Sequence, residues 1–232
     1  MTIDAKLLDH LKAFDTPTIC NALELVVPER RATGFTRQPF VCAFPSLAPI
    51  VGFARTATIR AATPPERPAA ELRALRLDYY AYVAAAETPT IAVIEDLDPS
   101  PGFGAFWGEV NTAVHKGLGV LGCITNGSFR DLDMIATDFQ LLGGSVAPSH
   151  AYVRVESFGQ PVTVHGMAVA HDDLLHADRH GAVVIPAAAL TQLPAAIDLC
   201  ARREASIIAA ARQPGFTVER LREAMAEADD IH

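Results

Sequence analysis

A mixed α/β domain is the fold class this sequence predicts, on three observations. Runs rich in β-branched residues alternate with helical segments between residues 50 and 125, short β-like runs divided by turn residues follow Phe139, and two Ala-rich helical stretches close the chain. With 232 residues, 50% of them hydrophobic and 20% charged, there is apolar surface enough to offset the entropy of ordering one substantial core. A single domain over 1–232, with C-terminal helices from about residue 186, is the expected organisation.

Each element follows from local pattern. Leu7, Leu8, Leu11 and Phe14 keep a 3.6-residue period, which predicts an amphipathic helix. Asp15 or Thr16 then caps a second helix, with Pro17 in its first turn and Ile19, Ala22 and Leu23 on its buried side. Gly34, Pro39, Pro45 and Pro49 keep residues 30–49 irregular. VGFARTATIR, from Val51 to Arg60, reads as a strand, and the proline-rich segment from Ala61 to Ala70 as an exposed connector. A helix from Glu71 to Ala86, a strand from Thr90 to Glu95, a helix from Phe106 to Lys116 and a strand from Val120 to Thr125 follow, then a turn and a short helix opening near Arg130. Beyond Phe139, LLGGSVAP, YVRVES, PVTVHGMAV and GAVVIP predict short strands of a more β-rich layer. Helices are expected over Pro186–Arg212 and Thr217–Ala228, broken at Pro214-Gly215.

Composition excludes several function classes. Nineteen Lys and Arg against 27 Asp and Glu give a net charge of −8, which disfavours the phosphate neutralisation that nucleic-acid binding requires. Cys20, Cys42, Cys123 and Cys200 lie too far apart for a zinc knuckle or a disulfide framework and read as small buried hydrophobes in a reducing compartment. No run of 18 apolar residues offers a membrane span, and MTIDAKLLDHLKAF is too charged for a secretory signal, so a cytoplasmic protein is expected. A methyltransferase is disfavoured because no glycine-rich nucleotide loop follows an early strand.

Chemistry concentrates between residues 108 and 131. Ten helical steps rise about 15 Å and five strand steps about 17 Å. The start of the Phe106–Lys116 helix should therefore lie beside the carboxyl end of the Val120–Thr125 strand, where open α/β sheets bind ligands. Gly108-Glu109 would then meet the turn Asn126-Gly127-Ser128-Phe129-Arg130-Asp131. There the amides of Glu109, Val110 and Asn111 could receive an anionic oxygen, Arg130 could clamp a carboxylate, and Asp131 could hold a hard, water-rich cation such as Mg²⁺ or Mn²⁺. Taken alone, the same residues also fit a structural reading, with Glu109 and Asp131 as acids favoured in a first helical turn.

WGEVNTAVHKGLGVLGCITNGSFRDLDMI resembles the signature of the superfamily that holds class II 4-hydroxy-4-methyl-2-oxoglutarate aldolases and proteins like the regulator of ribonuclease E activity A. Arg130-Asp131 follows the acid Glu109 at that signature's 21-residue interval, and TPTICNALE, IVGFARTATI and DLLHADRHGAVVIP extend the similarity. The resemblance implies a swivelling β/β/α fold, assembled as a homotrimer or a dimer of trimers. It implies that Gly108, Glu109, Val110, Asn111 and Arg130 bind substrate, and that Asp131 binds the metal, partly through water. Glu109 falls near the metal waters, and Glu204 roughly aligns with an acid that some members contribute across a subunit interface. Asn21 and Asn126 stand where many relatives carry Asp, and Glu109 replaces the usual Asp.

The activity expected is a divalent-metal-dependent carbon–carbon lyase acting on a small 2-oxo acid. Retro-aldol cleavage of a 4-hydroxy-2-oxo acid and decarboxylation of oxaloacetate would both pass through pyruvate enolate, with Arg130, Glu109 and Asp131 as the catalytic set. A Schiff-base mechanism is disfavoured, since Lys116 is the only lysine near the motif. The alternative is a protein-binding regulator, inhibiting a ribonuclease, on the same scaffold. Three further features read as structural: His171, His176 and His180 in a turn before GAVVIP, Phe106 and Trp107 as packing, and Cys123 as core.

Overall fold

A computed structural model describes residues 4–86 and 89–232. The chain forms two compact units, one from the residues up to Thr16 together with Thr33–Pro186, the other from Pro17–Ala32 and Ala187–His232.

The helices are α1 (Ala5–Leu11), α2 (Thr16–Val26), α3 (Ala69–Ala84), α4 (Glu109–Gly117), α5 (Leu193–Ala211) and α6 (Val218–Asp229). The strands are β1 (Val41–Cys42), β2 (Ile50–Arg60), β3 (Thr90–Asp96), β4 (Ala105–Trp107), β5 (Val120–Thr125), β6 (Ser128–Phe129) and β7 (Gln140–Gly143), then β8 (Ser145–Val146), β9 (Arg154–Phe158), β10 (Val162–Val164), β11 (Met167–Val169), β12 (Leu174–Asp178) and β13 (Gly181–Ile185). The expected mixed α/β fold is therefore present, with the predicted helical tail beyond residue 186.

The larger unit is built on a mixed sheet in the order β1-β7-β5-β3-β2-β12-β13. The pairs β2·β3, β3·β5 and β5·β7 are parallel, as β–α alternation requires, and the flanking pairs are antiparallel. β3 shows how both faces are filled, because its side chains alternate between them. Ala92 and Ile94 pack with Tyr79, Val83, Trp107 and Phe129, whereas Ile91 and Val93 pack with Val162, Val164, Met167 and Leu175. Burying each Ile, Val, Leu, Met or Phe among them contributes about 1.5–3 kcal/mol. The second face is covered by the hairpin β10·β11, whose two-residue turn places His165 (φ 49°) and Gly166 (φ 77°) in the left-handed region that a type I′ turn needs.

β2 forks. Its first half, Ile50–Phe53, pairs with β12, and its second half, Ala57–Arg60, pairs with β9 on the same edge. Arg55 sits in the gap, 7% exposed, bonded to Asp172 and stacked 5.6 Å over the ring of Tyr82.

Two sequence expectations fail here. Phe106 and Trp107 belong to strand β4, not to the following helix, which starts at Glu109 after an extended Gly108. Both aromatics are buried, and β4 pairs in parallel with β6, which pairs with β8, in a second, three-stranded sheet. Within the His-rich stretch, Leu174–Asp178 with His176 is a strand between β2 and β13, while His171 and His180 lie in turns on either side of it, as expected. Of the cysteines, Cys123 is fully buried and Cys20, Cys42 and Cys200 are half-buried. Of the connector expected over Ala61–Ala70, residues 63–68 are exposed, whereas Ala61 is buried and Ala69 and Ala70 already belong to α3.

In the smaller unit α2 carries Ile19, Ala22 and Leu23, all buried as predicted. Asn21 on α2 donates to the Glu204 carboxylate on α5 (3.1 Å), and Arg203 on α5 donates twice to the carbonyl of Ile231 beyond α6. Among the described residues no helix is long and apolar enough to cross a membrane.

Candidate active site

The small sheet sets the site. Because β4 and β6 run parallel, both chains leave it at the same end, and the N–H of Arg130 donates to the carbonyl of Trp107 (3.0 Å). Gly108 and Arg130-Asp131 are thereby adjacent, as the sequence predicts. The contact that joins them is this sheet, which the sequence reading did not contain.

Gly108 is the N-cap of α4 and has no side chain to cap it. The Asp131 carboxylate does so from outside: the N–H of Glu109 donates to its Oδ2 (3.3 Å), and Arg130 Nε lies 3.4 Å from the same oxygen. A Cβ on Gly108 would stand 2.6 Å from Asp131 Oδ2 and 3.2 Å from Arg130 Cγ, so only glycine permits this approach. Asp131 takes a left-handed conformation (φ 56°, ψ 42°) before the 3₁₀ turn Leu132–Met134, a strained geometry that aims its carboxylate at α4. Among the described residues the N–H groups of Val110 and Asn111, and Asp131 Oδ1, have no protein partner.

These groups border a cleft of about 650 Å³ in the larger unit. One wall carries Gly108, Val110, Asn111, Arg130 and Asp131. A second wall comes from α3, where Leu72, Arg76 and Tyr80 share one helical face at i, i+4, i+8 spacing. His150, Tyr152 and Arg154 supply a third. Tyr80 donates to Asn111 Oδ1 (2.7 Å), and Asn111 Nδ2 donates to the carbonyl of Phe106, so this buried amide is locked. Sequence reasoning missed Arg76 and Tyr80, although their spacing with Leu72 was visible.

Beneath α4, His115 is fully buried. Its Nδ1 donates to the carbonyl of Asn111 (2.6 Å), which leaves Nε2 to accept from the Tyr79 hydroxyl (2.8 Å). Burial pushes its pKa down to about 4, so it is neutral near pH 7 and braces the helix.

Not every predicted residue joins this wall. Glu109 contributes its backbone N–H, while its side chain is exposed and does not line the cleft. Glu204 belongs to the smaller unit, where it holds Asn21. Asn126 braces the sheet: its Oδ1 accepts the Asp96 N–H (2.7 Å) and its Nδ2 donates to the Asp96 carbonyl (3.1 Å). His176 donates from Nε2 to the carbonyls of Leu11 and Phe14 and accepts from the Thr16 hydroxyl, a structural role as expected. His171 bonds to Tyr82 and Asp172, and His180 to Asp178.

The profile of the RraA-like family, described as Aldolase/RraA, matches residues 16–184. The chain belongs to the RraA-like family. No curated protein matches the sequence. Among solved structures, an uncharacterized protein from Pseudomonas syringae pv. tomato str. DC3000 superposes with a TM-score of 0.71 at 21% identity, covering 96% of this chain and 95% of that one. Streptomyces coelicolor RraAS2, an unusual member of the RNase ES inhibitor RraA protein family, gives 0.64 at 18% identity, covering 88% and 94%. The RNA-processing inhibitor RraA from Thermus thermophilis gives 0.51 at 17%, covering 71% and 90%. At these identities the likeness is one of fold, and the family holds both aldolases and RraA proteins.

The donor set is compatible with a hard divalent cation. Asp131 offers one carboxylate oxygen without a protein partner, the donor type that Mg²⁺ or Mn²⁺ takes, and no cluster of three His, Cys, Asp or Glu exists among the described residues.

Proposed function

We propose that this protein is a divalent-metal-dependent carbon–carbon lyase that releases pyruvate from a small 2-oxo acid, by retro-aldol cleavage of a 4-hydroxy-2-oxo acid or by decarboxylation of oxaloacetate. The observation that carries this reading is the convergence of Arg130, Asp131 and the open N-terminus of α4 on one cleft wall. Asp131 would hold Mg²⁺ or Mn²⁺, which supplies Lewis-acid polarisation of the 2-oxo group. Arg130 clamps the substrate carboxylate and neutralises charge growing on the enolate oxygen. The N–H groups of Val110 and Asn111 receive a carboxylate oxygen, aided by the helix dipole. Glu109, exposed beside the cleft, is the candidate for proton transfer through water. Glu204 remains a candidate for a site in a neighbouring subunit of a trimer or hexamer. Exposed apolar Leu132, Met134 and Val146 on the short elements after Arg130 support self-association.

The second reading, a ribonuclease-binding regulator, is supported by the likeness to RraAS2 and to the RNA-processing inhibitor RraA. One experiment separates them. Pyruvate release from oxaloacetate and from a 4-hydroxy-2-oxo acid is measured with Mg²⁺, with Mn²⁺ and with chelator, beside a ribonuclease inhibition assay. Chelator-sensitive pyruvate release is expected. Absence of pyruvate under all conditions, with inhibition of ribonuclease, would establish the regulator.

A further inference from the structure

The chain carries a net charge of −8, yet the ionisable lining of the cleft is predominantly cationic. Arg76, Arg130 and Arg154 face a single carboxylate, Asp131. A concave wall of one sign concentrates ligands of the other.

The three guanidinium groups are not equivalent. Arg154 is committed to protein: Nε donates to Glu156 Oε1 (2.7 Å), and Nη1 donates to the carbonyls of Thr63 (2.6 Å) and Tyr152 (3.3 Å). Arg130 shares the Asp131 carboxylate and stands where the reacting end of the substrate is placed. Arg76 has no ion pair and no hydrogen bond among the described residues. Its guanidinium is nonetheless positioned, stacked 5.9 Å from the centre of the Phe106 ring, and its charge helps to lower the pKa of His115 beneath. Stacking orients the planar fork and leaves its N–H groups available for a bidentate acceptor. It projects from α3, one turn before the Tyr80 that locks Asn111.

We infer that Arg76 is a specificity-determining residue that selects 2-oxo acids bearing a second carboxylate on the tail remote from the 2-oxo group. This rests on the reading of the Arg130–Asp131 end as the 2-oxo acid head site. Two cations lining one cleft, Arg76 without a protein ion pair and Arg130 beside Asp131, match a dicarboxylate better than a 2-oxo acid with a neutral tail. A charge-assisted bidentate contact of this kind corresponds to an affinity difference of about 10- to 100-fold.

The test compares two five-carbon probes, 2-oxoglutarate and 2-oxopentanoate, which share a head and differ in a carboxylate or methyl tail. Binding to the full chain is measured by calorimetry with Mg²⁺ present, for wild type, Arg76→Gln and Arg76→Lys. Wild type should prefer 2-oxoglutarate about 10- to 100-fold, Arg76→Gln should reduce that ratio to near one, and Arg76→Lys should keep part of it. Raised salt should shrink the wild-type preference. Equal affinities in the wild type, binding of neither probe, or a preference that survives in Arg76→Gln overturns the inference. Pyruvate release, assayed separately, tells its fate from that of the lyase. A tail preference that depends on Arg76 without pyruvate release sinks only the lyase, and pyruvate release without a tail preference sinks only the role of Arg76.

Discussion

Two stretches of this chain are rich in ionisable residues and end in opposite states. In GSFRDLD after β5, Arg130 and Asp131 stand at a cleft beside helix amides that have no protein partner. In HDDLLHADRH, His176 and Asp178 lie in strand β12, bonded to backbone groups of residues 11, 14, 16 and 180 and to the side chains of Thr16 and His180. Burial would raise the pKa of Asp178, but N–H donors from His180 and Thr16 reverse that and hold it below the ordinary carboxylate value. A polar group that folding has satisfied stabilises; one left unsatisfied at a cavity is available to a ligand.

Paired substitutions sharpen the contrast. Arg130→Ala should lower turnover by about 10²–10³-fold, as loss of a charge-stabilising donor does, and leave thermal unfolding within about 2 °C, because a lost surface contact costs little. A variant that releases pyruvate at the wild-type rate would remove Arg130 from the chemistry. His176→Ala should do the reverse. It strands the Thr16 hydroxyl and two carbonyls, a loss of about 2–3 kcal/mol, or roughly 5–10 °C in melting temperature for a chain of this size. Unfolding scans beside steady-state rates would show whether the two effects separate.

A smaller effect comes from pH. His115 takes up its proton near pH 4 in the folded chain and near 6.5 when unfolded. The unfolded state therefore binds protons first as pH falls, and stability is lost between about 6.5 and 4. At pH 5 this amounts to about 2 kcal/mol relative to neutral pH. Burial lowers the pKa of His165 and His176 as well, with the same sign. Urea midpoints at pH 7.5 and pH 5 should show the decline, and His115→Gln should flatten it without abolishing it. An unchanged slope in that variant would mean that His115 is not the group responsible.

Sequence alone made the parallel core legible, because the runs around Thr56, Val93 and Ile124 are β-branched and the intervening segments keep helical spacing. It misplaced Phe106 and Trp107, since two aromatics before an amphipathic helix look like its first turn until Gly108 is seen to be extended. It missed β12 because Asp and His signal a turn, and the groups that make them acceptable inside a sheet come from residues 11–16, some 160 positions away. The Gly108, Arg130 and Asp131 end of the site was readable from spacing. Arg76 was not, for its spacing with Leu72 and Tyr80 marks a helical face but gives no sign that the face overlooks a cavity.

The fork in β2 has an evolutionary reading. Where one strand changes partner halfway along, the portion that backs the β10·β11 hairpin and the portion that leads toward α3 and the cleft can accumulate changes separately, with Arg55 as the rivet between them. A lineage could reshape the cleft while inheriting the other half untouched.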